Sequence, residues 1–112
     1  MKLAICTNKP ERLTLQLLKA FQWVDYFSAV LGGDSLSTRK PDPSILFEAI
    51  RRSGGGRGIL VGDSITDVET ARAANVPCVI VTFGYRDRRA EQLGATQLVA
   101  SYDQLVSTLL DL

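Results

Sequence analysis

Histidine is absent from all 112 residues, which removes the commonest general base at neutral pH and with it every Ser-His and Cys-His nucleophilic mechanism. Proton transfer in such a chain falls to carboxylates or lysine. Cysteine is scarce: Cys6 and Cys78 stand far apart, each inside an apolar run. Two such thiols make neither a zinc ligand set nor a disulfide framework, so both are expected as reduced core residues. An excess of either charge is also missing. Thirteen basic and twelve acidic side chains leave a formal net charge of +1, with no field to attract nucleic acid or an anionic membrane. The apolar stretch around Val79 to Val81 is far too short to span a bilayer, and Met1-Lys2 leads into a strand-like segment and not a signal-peptide core. A cytoplasmic location is the expectation. Internal repeats and linkers are lacking, so residues 1–112 read as one domain, with 46% hydrophobic residues to build its core.

What is present centres on Gly58-Ile59-Leu60-Val61-Gly62-Asp63-Ser64-Ile65-Thr66-Asp67, where an apolar run stops at a glycine followed by two carboxylates four residues apart. Ile59, Leu60 and Val61 have the pattern of a strand buried on both faces of a parallel sheet. Thr66-Asp67-Val68-Glu69 reads as a capping box opening a helix through Ala71 and Ala74. Asp63 then lies in the strand-to-helix turn and Asp67 in the first helical turn, at the carboxyl edge where open α/β sheets bind ligands. Two carboxylates this close repel unless a cation lies between them, and Mg²⁺ prefers such oxygen ligands. The plainer reading is that Asp67 only favours the helix dipole and Asp63 only shapes the turn.

Leu3-Ala4-Ile5-Cys6 reads as a buried strand ending at Thr7-Asn8-Lys9-Pro10, where hydroxyl, amide and ammonium groups gather before a helix-starting proline. Leu13, Leu17, Leu18 and Phe21 fall at helical spacing, predicting a helix that covers the sheet. The aromatic group Trp23, Tyr26 and Phe27 is expected as core packing. Ala29-Val30-Leu31 forms a short strand broken by Gly32-Gly33-Asp34. Lys40 precedes a corner stiffened by Pro41 and Pro43, with Asp42 as N-cap and Pro43 as the first helical residue. That helix buries Ile45, Leu46, Ala49 and Ile50. Gly54-Gly55-Gly56 follow it, so they resemble a helix C-cap and loop, not a phosphate-cradling loop. Val76 to Val81 predicts another buried strand ended by Thr82-Phe83-Gly84-Tyr85. Arg86, Arg88 and Arg89 beyond it suit either an anion or a solvated helix start. Leu98-Val99-Ala100 predicts a last strand, and Ser101 to Gln104 caps a terminal helix with Leu105, Val106, Leu109 and Leu110 inward. The alternation of strand and helix implies a doubly wound parallel sheet.

Three strand ends thus offer Thr7 with Asn8, Lys40, and Asp63 with Asp67, a set suited to a phosphoryl group and Mg²⁺. In Ile5-Cys6-Thr7-Asn8-Lys9-Pro10, Gly32-Gly33-Asp34, Lys40-Pro41-Asp42-Pro43, Val61 to Asp67 and Val81 to Tyr85, the sequence resembles the haloacid dehalogenase-like hydrolase superfamily, in its phosphoglycolate phosphatase-like branch. The resemblance covers nearly the whole chain. It implies a three-layer α/β/α Rossmann-like sheet and a Mg²⁺-dependent phosphomonoester hydrolase. It further implies that Thr7 binds the transferring phosphoryl with Asn8 close by, that Lys40 neutralises phosphate and carboxylate charge, and that Asp63 ligates Mg²⁺ with Asp67 supporting the metal directly or through water. Catalytic roles fall on Lys40 and Thr7, substrate binding on Thr7, Asn8 and Lys40.

The family's first motif, D-x-D-x-T, supplies the nucleophilic aspartate that forms an aspartyl-phosphate. Nothing before Thr7 matches it, and the helical cap that follows it in the family is missing, so the chain looks like the C-terminal half of such an enzyme. Asp34 and Asp42 are poor substitutes for the nucleophile, since neither stands at a central strand end. In the resembled fold the missing strand lies between those of Cys6 and Val61, and its loss exposes two strand edges. The expectation is that these two strands pair with each other, or that a second chain fills the gap in a homodimer or strand-swapped assembly. A small phosphorylated metabolite is the expected substrate. The alternative is a non-catalytic remnant that binds phosphate or a protein partner. A response-regulator receiver shares the sheet, acidic cluster, hydroxyl and lysine, but the acidic pair it needs after the first strand is not present.

Overall fold

The computed structural model describes residues 1–81, 97–99 and 101–111, and the chain clusters into two compact units, Met1–Arg57 and Gly58–Leu112. In the first unit the order is β1 (Leu3–Cys6), α1 (Glu11–Ala20), a 3-10 turn (Val24–Tyr26), β2 (Phe27–Leu31) and α2 (Ser44–Arg52). β1 and β2 are parallel, with Ala4 opposite Ala29, Ile5 opposite Val30 and Cys6 opposite Leu31. The Thr7 N–H extends the ladder by donating to the Leu31 carbonyl at 3.0 Å. Leu31, Ile45 and Ala49 form the centre of the core, with Cys6 and Leu36 packed against it. The Cys6 thiol reaches across to the Ile45 carbonyl at 3.8 Å.

The second unit contains β3 (Leu60–Gly62), α3 (Ile65–Ala74), β4 (Cys78–Val81), β5 (Gln97–Val99) and α4 (Tyr102–Asp111). Its strands run parallel in the order β3-β4-β5. Val79 and Ile80 on the middle strand are fully buried, as are Val68, Thr70 and Ala71 on α3. Thr70 is tolerated there because its hydroxyl donates back to the Thr66 carbonyl at 2.7 Å, which satisfies a polar group without water. Neither cysteine forms a disulfide.

Three helices stop by one device. After α1, α2 and α3 a residue with positive φ (Gln22, Gly54 or Asn75) reverses the chain. The two following amides close on the last turn: Gln22 on Lys19 and Trp23 on Leu18, Gly54 on Arg51 and Gly55 on Ile50, Asn75 on Arg72 and Val76 on Ala71. This is the Schellman arrangement, which satisfies carbonyls that would otherwise lack partners. The glycines after α2 are therefore the C-cap that their position predicts. Gln22 accepts the left-handed conformation without glycine's freedom, and its spacing carries no signal of it.

Several burial expectations are corrected. Leu13, Leu17 and Phe21 on α1 are exposed, and only Thr14 and Leu18 of that helix are buried. Periodicity identified the helix but not which stripe would be covered, because that depends on the neighbouring layer. Trp23 and Tyr26 are exposed and not core; the Trp23 ring stacks on Phe21 at 4.9 Å. β1 is not buried on both faces, with Leu3 48% exposed, and Val61 of β3 is 38% exposed. On α4, Val106 and Leu110 face outward. The capping box expected at Thr66 is not formed: α3 already begins at Ile65 with Ser64 as N-cap. β1 pairs with β2 and β3 with β4, so the pairing of β1 with β3 is not among the ladders of the described residues.

Candidate active site

The first unit gathers three of the expected groups. β1 delivers Thr7 and Asn8 at its carboxyl end, and the loop before α2 carries Lys40. The Asn8 side chain joins them: its Oδ1 accepts the Lys40 N–H at 3.1 Å and its Nδ2 donates to the Lys40 carbonyl at 3.2 Å. The next peptide, Lys40-Pro41, is cis. Thr7 Oγ1 accepts the Lys9 N–H at 3.1 Å, which leaves its hydroxyl proton for an acceptor outside the turn. Thr7, with its hydroxyl donor, is thus the chain neighbour of Asn8, which holds the backbone of the half-buried Lys40, and a hydroxyl and an ammonium are groups that suit a phosphoryl oxygen.

Two glycines make this cluster close enough to form. A Cβ at Gly33 would stand 2.2 Å from the Asn8 carbonyl oxygen, and one at Gly32 would stand 2.3 Å from the Glu11 nitrogen. Both contacts are with backbone, so no side-chain rotation relieves them. The loop after β2 therefore lies directly on the loop after β1, and the Gly33 N–H donates to the Lys9 carbonyl at 2.8 Å.

In the second unit β3 ends just before Asp63, and the first turn of α3 carries Asp67. Asp67 is 5% exposed, and its Oδ2 accepts the Asp63 N–H at 3.1 Å and the Ser64 hydroxyl at 3.2 Å. This is not the reciprocal pair of a capping box: Ser64 is the N-cap, but its hydroxyl donates to Asp67 instead of capping an amide, and Asp67, at the third helical position, reaches back past it to the Asp63 N–H. The Asp63 side chain is exposed at the strand end. Among the described residues no group of three or more metal-ligating side chains occurs, so Mg²⁺ would find here one exposed carboxylate, with its other positions left to water and phosphate. Asp63 would hold the ion, and Asp67 would fix the turn that presents Asp63.

Four acidic groups of the first unit, Glu11, Asp34, Asp42 and Glu48, have structural work. Asp34 Oδ1 accepts the Glu11 N–H at 2.8 Å, capping α1 from the following loop, while Glu11 accepts from Ser35 at 2.6 Å. This cap escaped the sequence reading because it joins residues 23 apart; the only trace is a carboxylate directly after two glycines. Asp42 Oδ1 accepts the Ser44 N–H at 2.8 Å, so it caps the first helical amide from one residue outside the expected place: the helix starts at Ser44, and Pro43 and not Asp42 is its N-cap. Hydrogen bonds from Ser44 hold the Asp42 carboxyl below its ordinary value. The hydrogen bond from Arg51, assisted by Arg52, lowers Glu48 from 4.5 to about 2. Thr82 to Tyr85, Arg86, Arg88, Arg89 and Ala100 lie outside the described residues.

A profile of the haloacid dehalogenase-like hydrolase family matches residues 1–81. The chain is 44% identical over 109 residues to a phosphoglycolate phosphatase of Mesorhizobium japonicum, a match covering 96% of this chain and 48% of that protein. It is 40% identical over 111 residues to a phosphoglycolate phosphatase of Agrobacterium fabrum, covering 97% of this chain and 48% of that protein. Among solved structures it is similar to a subfamily IA hydrolase of the same superfamily from Geobacter sulfurreducens, with a TM-score of 0.80 at 25% identity, over 96% of this chain and 52% of the other. The chain spans about half the length of the curated relatives it matches. With its parallel α/β architecture, its strand-end residues and a family match across most of its length, the chain belongs to the haloacid dehalogenase-like hydrolase family.

Proposed function

We propose that the chain is the phosphate-binding and Mg²⁺-binding part of a cytoplasmic phosphomonoester hydrolase of the phosphoglycolate phosphatase kind, whose attacking aspartate comes from a segment outside these 112 residues. The observation that carries the reading is the cluster in which Asn8 holds the Lys40 backbone beside the Thr7 turn. It is supported by the relatives' identity, by the half-length match, and by the engagement of Asp34 and Asp42 in helix caps. A capping carboxylate is poorly placed to act as a nucleophile, because attack would break the bonds that hold it.

In the reaction, a carboxylate oxygen attacks phosphorus as the bond to the leaving alkoxide breaks, and water then hydrolyses the aspartyl-phosphate to regenerate the carboxylate. The Thr7 hydroxyl donates to a phosphoryl oxygen, and the Lys40 ammonium offsets the charge gathered there. The Lys40 main chain is held before the substrate arrives, which limits the reorganisation needed as charge builds. Mg²⁺, when bound at Asp63, supplies positive charge that lowers repulsion between two anions. Asp67 keeps the Asp63 backbone in place.

A chimera tests the reading: this chain replaces the matched segment of the Mesorhizobium relative, and hydrolysis of an aryl phosphate is followed with and without Mg²⁺. The expected result is Mg²⁺-dependent turnover that Asp63→Asn or Lys40→Ala lowers by about 100-fold or more. A folded chimera without turnover, or turnover indifferent to both substitutions, overturns it.

A further inference from the structure

We infer that Asn8 is a positioning residue whose carboxamide fixes the main chain of Lys40. The inference rests on the reading above, in which Lys40 meets phosphate. An amide that both accepts from the N–H and donates to the C=O of one residue, at 3.1 and 3.2 Å, copies the two-point contact of neighbouring strands. It spans 32 residues of chain, from the end of β1 to the loop before α2, where no strand ladder runs. The contact point matters: these bonds hold the residue that carries the ammonium, so they limit where that long side chain starts.

The support extends one layer further. Asn8 itself cannot back away, because Gly33 lies against its carbonyl with no room for a Cβ. The Thr7 N–H on its other side is bonded to the Leu31 carbonyl at 3.0 Å. Gly33, Asn8 and Lys40 thus form a series from packed backbone to amide to cation. A lysine side chain has many rotamers, and holding its Cα by two bonds removes the part of that freedom that belongs to the loop.

The test is amide hydrogen exchange of the 112-residue chain followed by NMR, with inorganic phosphate titrated in the presence of Mg²⁺. In Asn8→Ala the position-40 amide should exchange about fivefold or more faster, while the Thr7 amide stays within about twofold. Phosphate affinity should fall in Asn8→Ala and in Lys40→Ala, but only Asn8→Ala should release the position-40 amide. Asn8→Asp keeps the acceptor for that N–H and loses the donor to the carbonyl, so its exchange should lie between wild type and Asn8→Ala. It also serves if Asn8→Ala does not fold. Unchanged position-40 exchange in both variants overturns the inference, as does weakened phosphate binding with that amide still protected. If no form of the chain binds phosphate, the functional reading fails while the exchange data still decide the positioning role.

Discussion

Gly62 and Asp67 share a space that admits only one of two things, a Cβ on residue 62 or the carboxylate of residue 67. The ideal Cβ would lie 2.2 Å from both Cγ and Oδ2 of Asp67. Gly62 is therefore needed for closeness rather than for an unusual backbone angle. Gly62→Ala should push the carboxylate off the Asp63 N–H and lower stability by about 1–3 kcal/mol. Urea unfolding of the chain measures it, and a change under about 0.5 kcal/mol would show that Asp67 relocates without cost.

Asp67→Ala removes the acceptor shared by the Asp63 N–H and the Ser64 hydroxyl in a buried place. Leaving such groups without partners costs about 1–3 kcal/mol. Asp67→Asn keeps an oxygen for the same N–H but loses the charge that favours the helix start, so its loss should be the smaller. The order Asp67→Ala below Asp67→Asn below wild type is expected in denaturant midpoints. Equal midpoints for the two variants would remove the hydrogen bonds from the explanation.

Gly32 and Gly55 should respond differently to alanine. At Gly32 the new Cβ meets backbone at 2.3 Å, whereas at Gly55 nothing lies within 4 Å and only the φ of +81° resists. Gly32→Ala should cost about 1–3 kcal/mol or more, by forcing two loops apart. Gly55→Ala should cost about 1–2 kcal/mol of left-handed strain. Thermal unfolding of both variants separates the causes: only Gly32→Ala should also disturb the NMR shifts of Lys9 and Glu11, and equal disturbance in both would refute the distinction.

Acid should weaken the helix that follows Lys40. Glu48 is lowered from 4.5 to about 2 and Asp42 lies below its ordinary 3.8. A carboxyl that is more acidic when folded adds stability above its unfolded pKa and loses it as pH falls toward the folded one. For Glu48 the window runs from about 4.5 down to about 2. The urea midpoint should drop between pH 5 and pH 3 in the wild type (about the lower half of the carboxylate range), and less steeply in Glu48→Gln. Parallel pH profiles for the two proteins would rule out the Arg51 contact as the cause.

The elements themselves were legible, for local reasons. Apolar runs at Leu3 to Cys6 and Cys78 to Val81 become strands, and the spacing around Ile45, Leu46 and Ala49 becomes a helix whose predicted face is buried. Asp42 and Ser101 were recognisable as caps because a cap acts over two or three residues, and their bonds to the Ser44 and Gln104 amides follow. The strand-end residues Thr7, Asn8, Lys40, Asp63 and Asp67 could be named from residue type and place in the alternation. Their family was visible in the same segments.

What the order of residues could not convey is contact at a distance and the identity of the covering layer. Helical periodicity is the same whether Leu13, Leu17 and Phe21 meet a sheet or water, and the fold leaves them exposed. α3 begins at Ile65, ahead of the expected Thr66 cap, and the space beside Gly62 lets Asp67 reach back to Asp63 and Ser64. Composition, strands, helices and candidate chemistry were set by the sequence through short-range sterics and hydrogen bonding. The bracing of Asp63 by Asp67, the cap of α1 by Asp34 and the hold of Asn8 on Lys40 were decided by tertiary structure, since each needs two segments brought within a hydrogen bond's length by packing.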